Sequence, residues 1–214
     1  LGAVEDDVVA LPHLGREVVL AQHLSRRRVG FFADRAETPG EALAEAARLE
    51  EPDFSKLGRN AALKDLTSWL WSSIDNDDSR DLDQLEYIDV GPGGTRLYIA
   101  IADLNSFVAR ASALDLAAQH NTTSIYAGVR TFPMFPDRLS TDLTSLVEGQ
   151  QRLAVVVEMH FSQDGEMGES SVYRAIVRNQ AQLTYRAVGA WLDGEENGHA
   201  NGQPSRSSPV SARV

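Results

Sequence analysis

The sequence predicts a mixed α/β domain in which a strongly bent sheet is packed by helices. Three observations carry that class. The segment Arg96-Leu-Tyr-Ile-Ala-Ile-Ala102 is β-prone and almost wholly apolar, the pattern of a strand covered on both faces. Residues 152–160 and 171–177 read as two strands joined by a loop holding Asp164-Gly165 and Gly168, which marks a hairpin. Phe107, Ala111, Leu114 and Ala118 recur at helical spacing and give one apolar stripe, so helix and strand alternate along the chain.

Taken in order, residues 1–52 form a helical lead-in or partial N-terminal domain. Glu17–Leu24 and Glu41–Glu51 use strong helix formers, Thr38-Pro-Gly40 is a turn between them, and Pro52 is a stop. The run Arg26-Arg-Arg28 reads as a solvated helix end rather than an RNA contact. From residue 53 the texture changes to strands and loops, and the main domain extends to residue 193. A strand over 85–90 turns through Gly91-Pro-Gly-Gly94 into the strand at 96–102, and a helix over 107–119 follows. After the hairpin comes a helix over 184–193, with Val188, Trp191 and Leu192 on one face, Thr184 as N-cap and Gly194 as terminator. Residues 194–214 hold only four apolar side chains, too few to order themselves, and are expected to be a flexible linker or tail.

Composition narrows the function classes. Apolar residues make up 43% and charged residues 24%, which is ordinary for a globular domain. Cysteine is absent, which excludes a disulfide framework, a thiolate zinc site and a cysteine nucleophile. The longest apolar runs fall far short of the roughly 20 residues of a membrane span, and no signal segment opens the chain, so a soluble cytoplasmic protein with no membrane partner is expected. Leu1 suggests a processed, trimmed or partial chain. A net charge of −11 argues against a basic nucleic-acid coat, though not against an enzyme that concentrates carboxylates at a metal. The five histidines lack zinc-hydrolase spacing, Ser140 and Ser145 lack an esterase elbow, and no phosphate-binding Gly-Lys loop occurs.

The informative segment is acidic. Between Asp75 and Asp89 lie seven acidic residues (Asp75, Asp77, Asp78, Asp81, Asp83, Glu86 and Asp89) against the single basic Arg80. Crowding so many carboxylates is costly unless cations neutralise them. A solvated acidic loop is the plain alternative, but Trp69-Leu-Trp71 and Ile74 before it and an apolar strand after it place it within a core. Two metal readings fit. Asp75, Asp77, Ser79, Asp81, Asp83 and Glu86 fall at the ligand positions of an EF-hand calcium loop, although Arg80 replaces the turn glycine and the flanks are not helical. Alternatively, Asp75, Asp81 and Asp83 supply a hard-cation centre for phosphodiester cleavage.

Three blocks resemble the catalytic (RNB) domain of the ribonuclease II / ribonuclease R family. The first is Ile74-Asp-Asn-Asp-Asp-Ser-Arg-Asp-Leu-Asp83 with Leu97–Asp103. The second runs from Thr123-Ser-Ile-Tyr126 through Pro133-Met-Phe-Pro136 and Leu139-Ser140 to Leu143-Thr-Ser-Leu146. The third joins Arg152-Leu-Ala154 to Asn179-Gln-Ala-Gln-Leu-Thr-Tyr185. The likeness covers residues 53–193, so the expected fold is the first part of an RNB-like domain. The resemblance implies a hydrolytic 3′→5′ exoribonuclease that uses Mg²⁺ on single-stranded RNA and releases nucleoside 5′-monophosphates. It implies metal ligands at Asp75, Asp81, Asp83 and Gln84, with Asp81 and Asp83 catalytic. It implies RNA contacts at Tyr126, as a base-stacking aromatic, and at Arg130; Asp103 is a further carboxylate near the centre. Where the family has a second consecutive aspartate, this chain has Gln84, which brings an oxygen without a charge and should hold the ion less tightly. The remainder of the catalytic domain, with its phosphate-binding arginine, and an OB-type RNA-binding module are expected outside this chain. The competing class is a non-catalytic RNB-like module that binds RNA or protein.

Overall fold

The computed structural model describes residues 38–57, 63–126 and 131–193. The expected helix over 17–24, the Arg26-Arg-Arg28 run, Arg130 and the tail over 194–214 lie outside those residues. The described elements are α1 (Gly40–Ala46), α2 (Phe54–Leu57), β1 (Lys64–Asp65), β2 (Ser72–Asp75), β3 (Gln84–Gly91), β4 (Gly94–Ala102), α3 (Ala113–Asn121), β5 (Ile125–Tyr126), β6 (Thr131–Phe132), β7 (Gln151–Phe161), β8 (Met167–Arg178), β9 (Ala181–Thr184) and α4 (Tyr185–Leu192). A 3₁₀ turn over Leu104–Ser106 and a π-type turn over Arg138–Leu143 complete the list.

Seven strands form one mixed sheet in the order β1-β8-β7-β4-β3-β2-β9. Its middle is antiparallel, and parallel pairs close both ends, β1 with β8 and β2 with β9. The expected strands are all present, each a little longer than its sequence signal. The short strands β1, β2 and β9 add to them.

Register places Leu85, Ala100, Val156 and Tyr173 in one row across β3, β4, β7 and β8, so these side chains share a face. That face carries the core of Leu66, Trp71, Leu82, Leu85, Tyr98, Ala100, Leu146, Ala154, Val156, Ala175 and Val177. Trp69 stacks on Trp71 with ring centroids 5.9 Å apart and meets Tyr98 edge-on at 4.8 Å. Trp71 is fully buried, and its indole N–H is satisfied by the Leu66 carbonyl at 3.0 Å. The other face corrects the expectation that β4 is covered on both sides. Leu97 and Ile99 are half-buried, while Ile101, Ile88 and Val172 are exposed. An apolar run therefore did not distinguish a sheet buried on one face from one buried on two.

Beside the sheet, Ala42, Ala46, Leu114, Ala117, Ala118, Phe135 and Leu139 form a second cluster. The helix expected over 107–119 is shorter and starts later. Ala111 adopts a left-handed φ of 62°, and the Ser112 hydroxyl caps the new helix by accepting the Asp115 amide at 3.3 Å. Glu45 of α1 accepts the Leu114 amide at 3.0 Å, which docks the lead-in helix on the N-terminus of α3. Helix α1 stops at Ala46, short of the expected Glu51, because tight i→i−3 bonds from Arg48 and Leu49 wind it down. At the other end, Thr184 caps α4 as expected, accepting the Ala187 amide at 3.2 Å.

Candidate functional site

The acidic segment is a loop from the end of β2 to the start of β3. Asp75 closes β2, paired in parallel with Thr184 of β9, and its carboxylate turns the chain by accepting the Asn76 amide at 2.7 Å. Strands flank the loop on both sides, so the EF-hand reading fails: its calcium loop needs a helix at each end. Near its end the loop is pinned. Leu82 is buried in the main core, its amide donates to the Ser145 hydroxyl at 3.1 Å, and its carbonyl accepts the Leu146 amide at 2.7 Å. The Asp83 carbonyl accepts the Ala102 amide at 2.9 Å. Leu82 is buried, while Asp81 is half-buried and Asp83 exposed.

Tyr126, at the end of β5, comes to the same place. Its hydroxyl donates to the Asp81 carboxylate, while the residue stays 65% exposed. That hydrogen bond, followed by burial and the nearby charges of Asp81 and Asp83, pushes the phenol up to about 12. The phenol therefore stays protonated and keeps donating. Asp83 is exposed as a residue, yet partial burial of its carboxyl, followed by the charges of Asp81 and Asp75, raises it above the ordinary carboxylate value. Asp83 thus lies within electrostatic reach of both Asp81 and Asp75, with the Tyr126 ring beside Asp81 and Asp83.

The other candidates are placed differently. Gln84 directs its amide nitrogen along its own strand to Glu86 Oε1 at 2.5 Å. Asp77 is committed to an ion pair with Arg186 of α4. Asp103 is buried, accepting from Arg174 Nε at 2.7 Å and from the Ser106 hydroxyl at 2.9 Å, so it staples β8 to the turn after β4. Arg130 lies outside the described residues.

Asp75, Asp81 and Asp83 offer oxygen donors alone, the chemistry of a hard divalent cation, and the Asp83 carboxyl is raised first by burial and only then by the charges of Asp81 and Asp75. The side chains are not gathered: among the described residues, no group of three or more acidic or histidine side chains stands close enough to hold one ion.

Sequence reasoning missed the groups that fix this loop. Ser145, Arg152 and Asn179 are all buried and polar; Ser145 and Asn179 contact backbone far away in sequence, and Arg152 holds the Ser145 carbonyl. Their only sequence signal was membership of the second and third motif blocks.

A mixed sheet carrying an acidic strand-to-strand loop beside an exposed tyrosine defines the class, and comparison with known proteins gives it a family. The RNB domain family model matches residues 63–211, and the chain belongs to that family. Among its relatives, the protein called ribonuclease R in Mycoplasma pneumoniae is 40% identical over 152 residues, covering 70% of this chain and 20% of that protein. Ribonuclease R of Escherichia coli is 36% identical over 149 residues, covering 69% of this chain and 18% of that protein. The chain thus spans about a fifth of the length of these relatives. Among solved structures, Mycoplasma genitalium RNase R in complex with ribose-methylated single-stranded RNA matches at a TM-score of 0.73 and 30% identity, over 83% of this chain and 28% of that one. Yeast Ssd1, a pseudonuclease, shares the fold at a TM-score of 0.53 and 14% identity, over 77% of this chain and 19% of that one.

Proposed function

We propose that this chain carries the acidic part of the active site of a hydrolytic 3′→5′ exoribonuclease acting on single-stranded RNA. The observation that carries the reading is the meeting of Tyr126 with Asp81, beside Asp83 and within the field of Asp75. An exposed aromatic ring that a base could stack on thus touches one carboxylate, with a second, Asp83, close enough to feel its charge. Family membership and the RNA-bound relative support it.

On this reading Asp75, Asp81 and Asp83 would hold Mg²⁺ by drawing together around it, with the Gln84 carbonyl available once its side chain leaves Glu86. The ion would polarise the scissile phosphate and offset charge on the attacking and leaving oxygens. Tyr126 stacks on a base near the 3′ end, an interaction open to every base and therefore suited to a sequence-tolerant enzyme. Its hydroxyl meanwhile orients Asp81. Water adds to phosphorus as the bond to the 3′ oxygen breaks, leaving a nucleoside 5′-monophosphate and an RNA one nucleotide shorter with a 3′ hydroxyl. The phosphate-binding arginine, the remainder of the catalytic domain and an OB-type module are supplied from outside these 214 residues, and the site of action is the cytoplasm.

The test is a 5′-labelled poly(A) ladder with and without Mg²⁺, comparing the chain with Asp83→Asn. Stepwise shortening that needs Mg²⁺ and is lost in Asp83→Asn is the expected result. RNA binding without shortening at any Mg²⁺ concentration would instead identify a non-catalytic RNB module.

A further inference from the structure

The loop carrying Asp81 and Asp83 has no regular structure, and what holds it is a buried polar hub on the far side of Leu82. Ser145, 1% exposed, follows directly after the π-type turn and Thr144. Its hydroxyl donates to the Arg80 carbonyl at 2.7 Å and accepts the Leu82 amide at 3.1 Å, so one side chain grips the peptides on both sides of Asp81. The Leu146 carbonyl accepts from Asn179 Nδ2 at 2.9 Å, and the same amide group donates to the Ser73 hydroxyl at 2.9 Å. Ser73 lies on β2, two residues before Asp75. Arg152 holds the hub from behind, with Nε on the Ser145 carbonyl at 3.0 Å and Nη2 on the Asp142 carbonyl at 3.2 Å.

We propose that Ser145 is a positioning residue for the acidic cluster: its buried hydroxyl fixes where Asp81 and Asp83 stand, while Asn179 ties the Asp75 strand to the same Ser145-Leu146 segment. Packing alone would be served by alanine at 145. A buried hydroxyl whose donor and acceptor are both used on a loop more than sixty residues away answers a different need. Without it the Arg80 carbonyl and Leu82 amide lose their partner, and the loop must move to find water. What the cluster is positioned for rests on the nuclease reading; that it is positioned does not.

The test compares Ser145→Ala and Ser145→Thr in the 214-residue chain. It reads hydrogen exchange at the Leu82 amide and Mn²⁺ affinity by electron paramagnetic resonance, Mn²⁺ being the probe. Ser145→Ala should speed Leu82 exchange about tenfold or more while amides of β7 keep their protection, and should weaken Mn²⁺ binding about tenfold. Ser145→Thr, which keeps the hydroxyl, should restore both. In an Asp83→Asn background Ser145→Ala should no longer change Mn²⁺ affinity, because the two act as one unit. If the threonine methyl prevents folding, Asn179→Ala takes its place: weaker Mn²⁺ binding with intact β7 protection supports the hub, and unchanged binding counts against it. Unaltered Leu82 exchange in Ser145→Ala, or equal loss of protection in β7, overturns the proposal. A wild-type chain that neither binds Mn²⁺ nor shortens poly(A) would sink the nuclease reading alone, since Leu82 exchange still decides the role of Ser145.

Discussion

At Tyr126 the proposed stacking would use the ring, while the hydroxyl already serves Asp81, so the two can be separated by substitution. Tyr126→Phe should leave single-stranded RNA affinity within about twofold, whereas Tyr126→Ala should weaken it by ~1–3 kcal/mol, the usual worth of one base–aromatic stack; fluorescence anisotropy of a labelled oligonucleotide separates the two. Asp83 makes a prediction about pH. Its carboxyl is raised by burial and by Asp81 and Asp75, so the folded chain keeps that proton to higher pH than the unfolded chain does. Stability from this group is therefore full below the ordinary carboxylate range and is lost as pH rises through its folded value. Asp83→Asn should raise the melting temperature at pH 7 in metal-free buffer, with the difference fading toward pH 4. Added Mg²⁺ should reverse the sign, because the ion stabilises only the chain that binds it. At position 84 the amide now serves Glu86, so Gln84→Asp frees that contact and adds charge beside Asp83. The Mg²⁺ concentration for half-maximal activity should fall, and an unchanged value would remove position 84 from the ligand set.

Among the elements, the hairpin of β3 and β4 gives the clearest backbone test. Gly94 closes the turn at a φ of +120°, and a Cβ there would lie 2.1 Å from the Phe161 carbonyl oxygen of β7. Gly94→Ala should destabilise the chain by ~2 kcal/mol or more, combining strain and collision, while Gly93→Ala, with open space around it, should cost far less; urea unfolding measures both. These elements also show what the sequence made legible. Long strands with strong patterning, Leu85–Val90 and Arg152–His160 among them, were readable because each carries its own signal. Strands β1, β2 and β9 were not, since two to four residues hold no period and form only through partners far along the chain. The helix start at Ala113 was misplaced because the apolar stripe through Phe107 is satisfied equally by a 3₁₀ turn followed by a capped helix. At the site, Asp75, Asp81, Asp83 and Tyr126 were nameable through charge density and motif. Ser145, Asn179 and Arg152 were not, because a buried polar residue shows its meaning only once its partners are near.

For the whole molecule, the question is how a chain of net charge −11 approaches a polyanion. With no cation, a phosphate drawn beside Tyr126 meets Asp81 and Asp83, and two like charges about 4 Å apart repel by ~1 kcal/mol in bulk water and ~4 kcal/mol at an effective dielectric near 20. A divalent ion in the cluster turns that repulsion into attraction, so RNA and Mg²⁺ should bind with positive coupling, each raising the affinity for the other by the same factor. The few phosphate contacts available to an acidic surface should meanwhile give a shallow dependence on monovalent salt, since that slope counts neutralised phosphates. The affinity of the chain for a short single strand should therefore rise at least fivefold between zero and millimolar Mg²⁺ and change little between 50 and 150 mM KCl. The double substitution Asp81→Asn with Asp83→Asn removes the repulsion without restoring the ion. It should bind RNA better than the wild type in chelator, lose the response to Mg²⁺, and shorten no RNA. Equal affinity of the wild type with and without Mg²⁺ would mean that the strand does not pass over the acidic cluster, and the placement of Tyr126 beside it would then need another explanation.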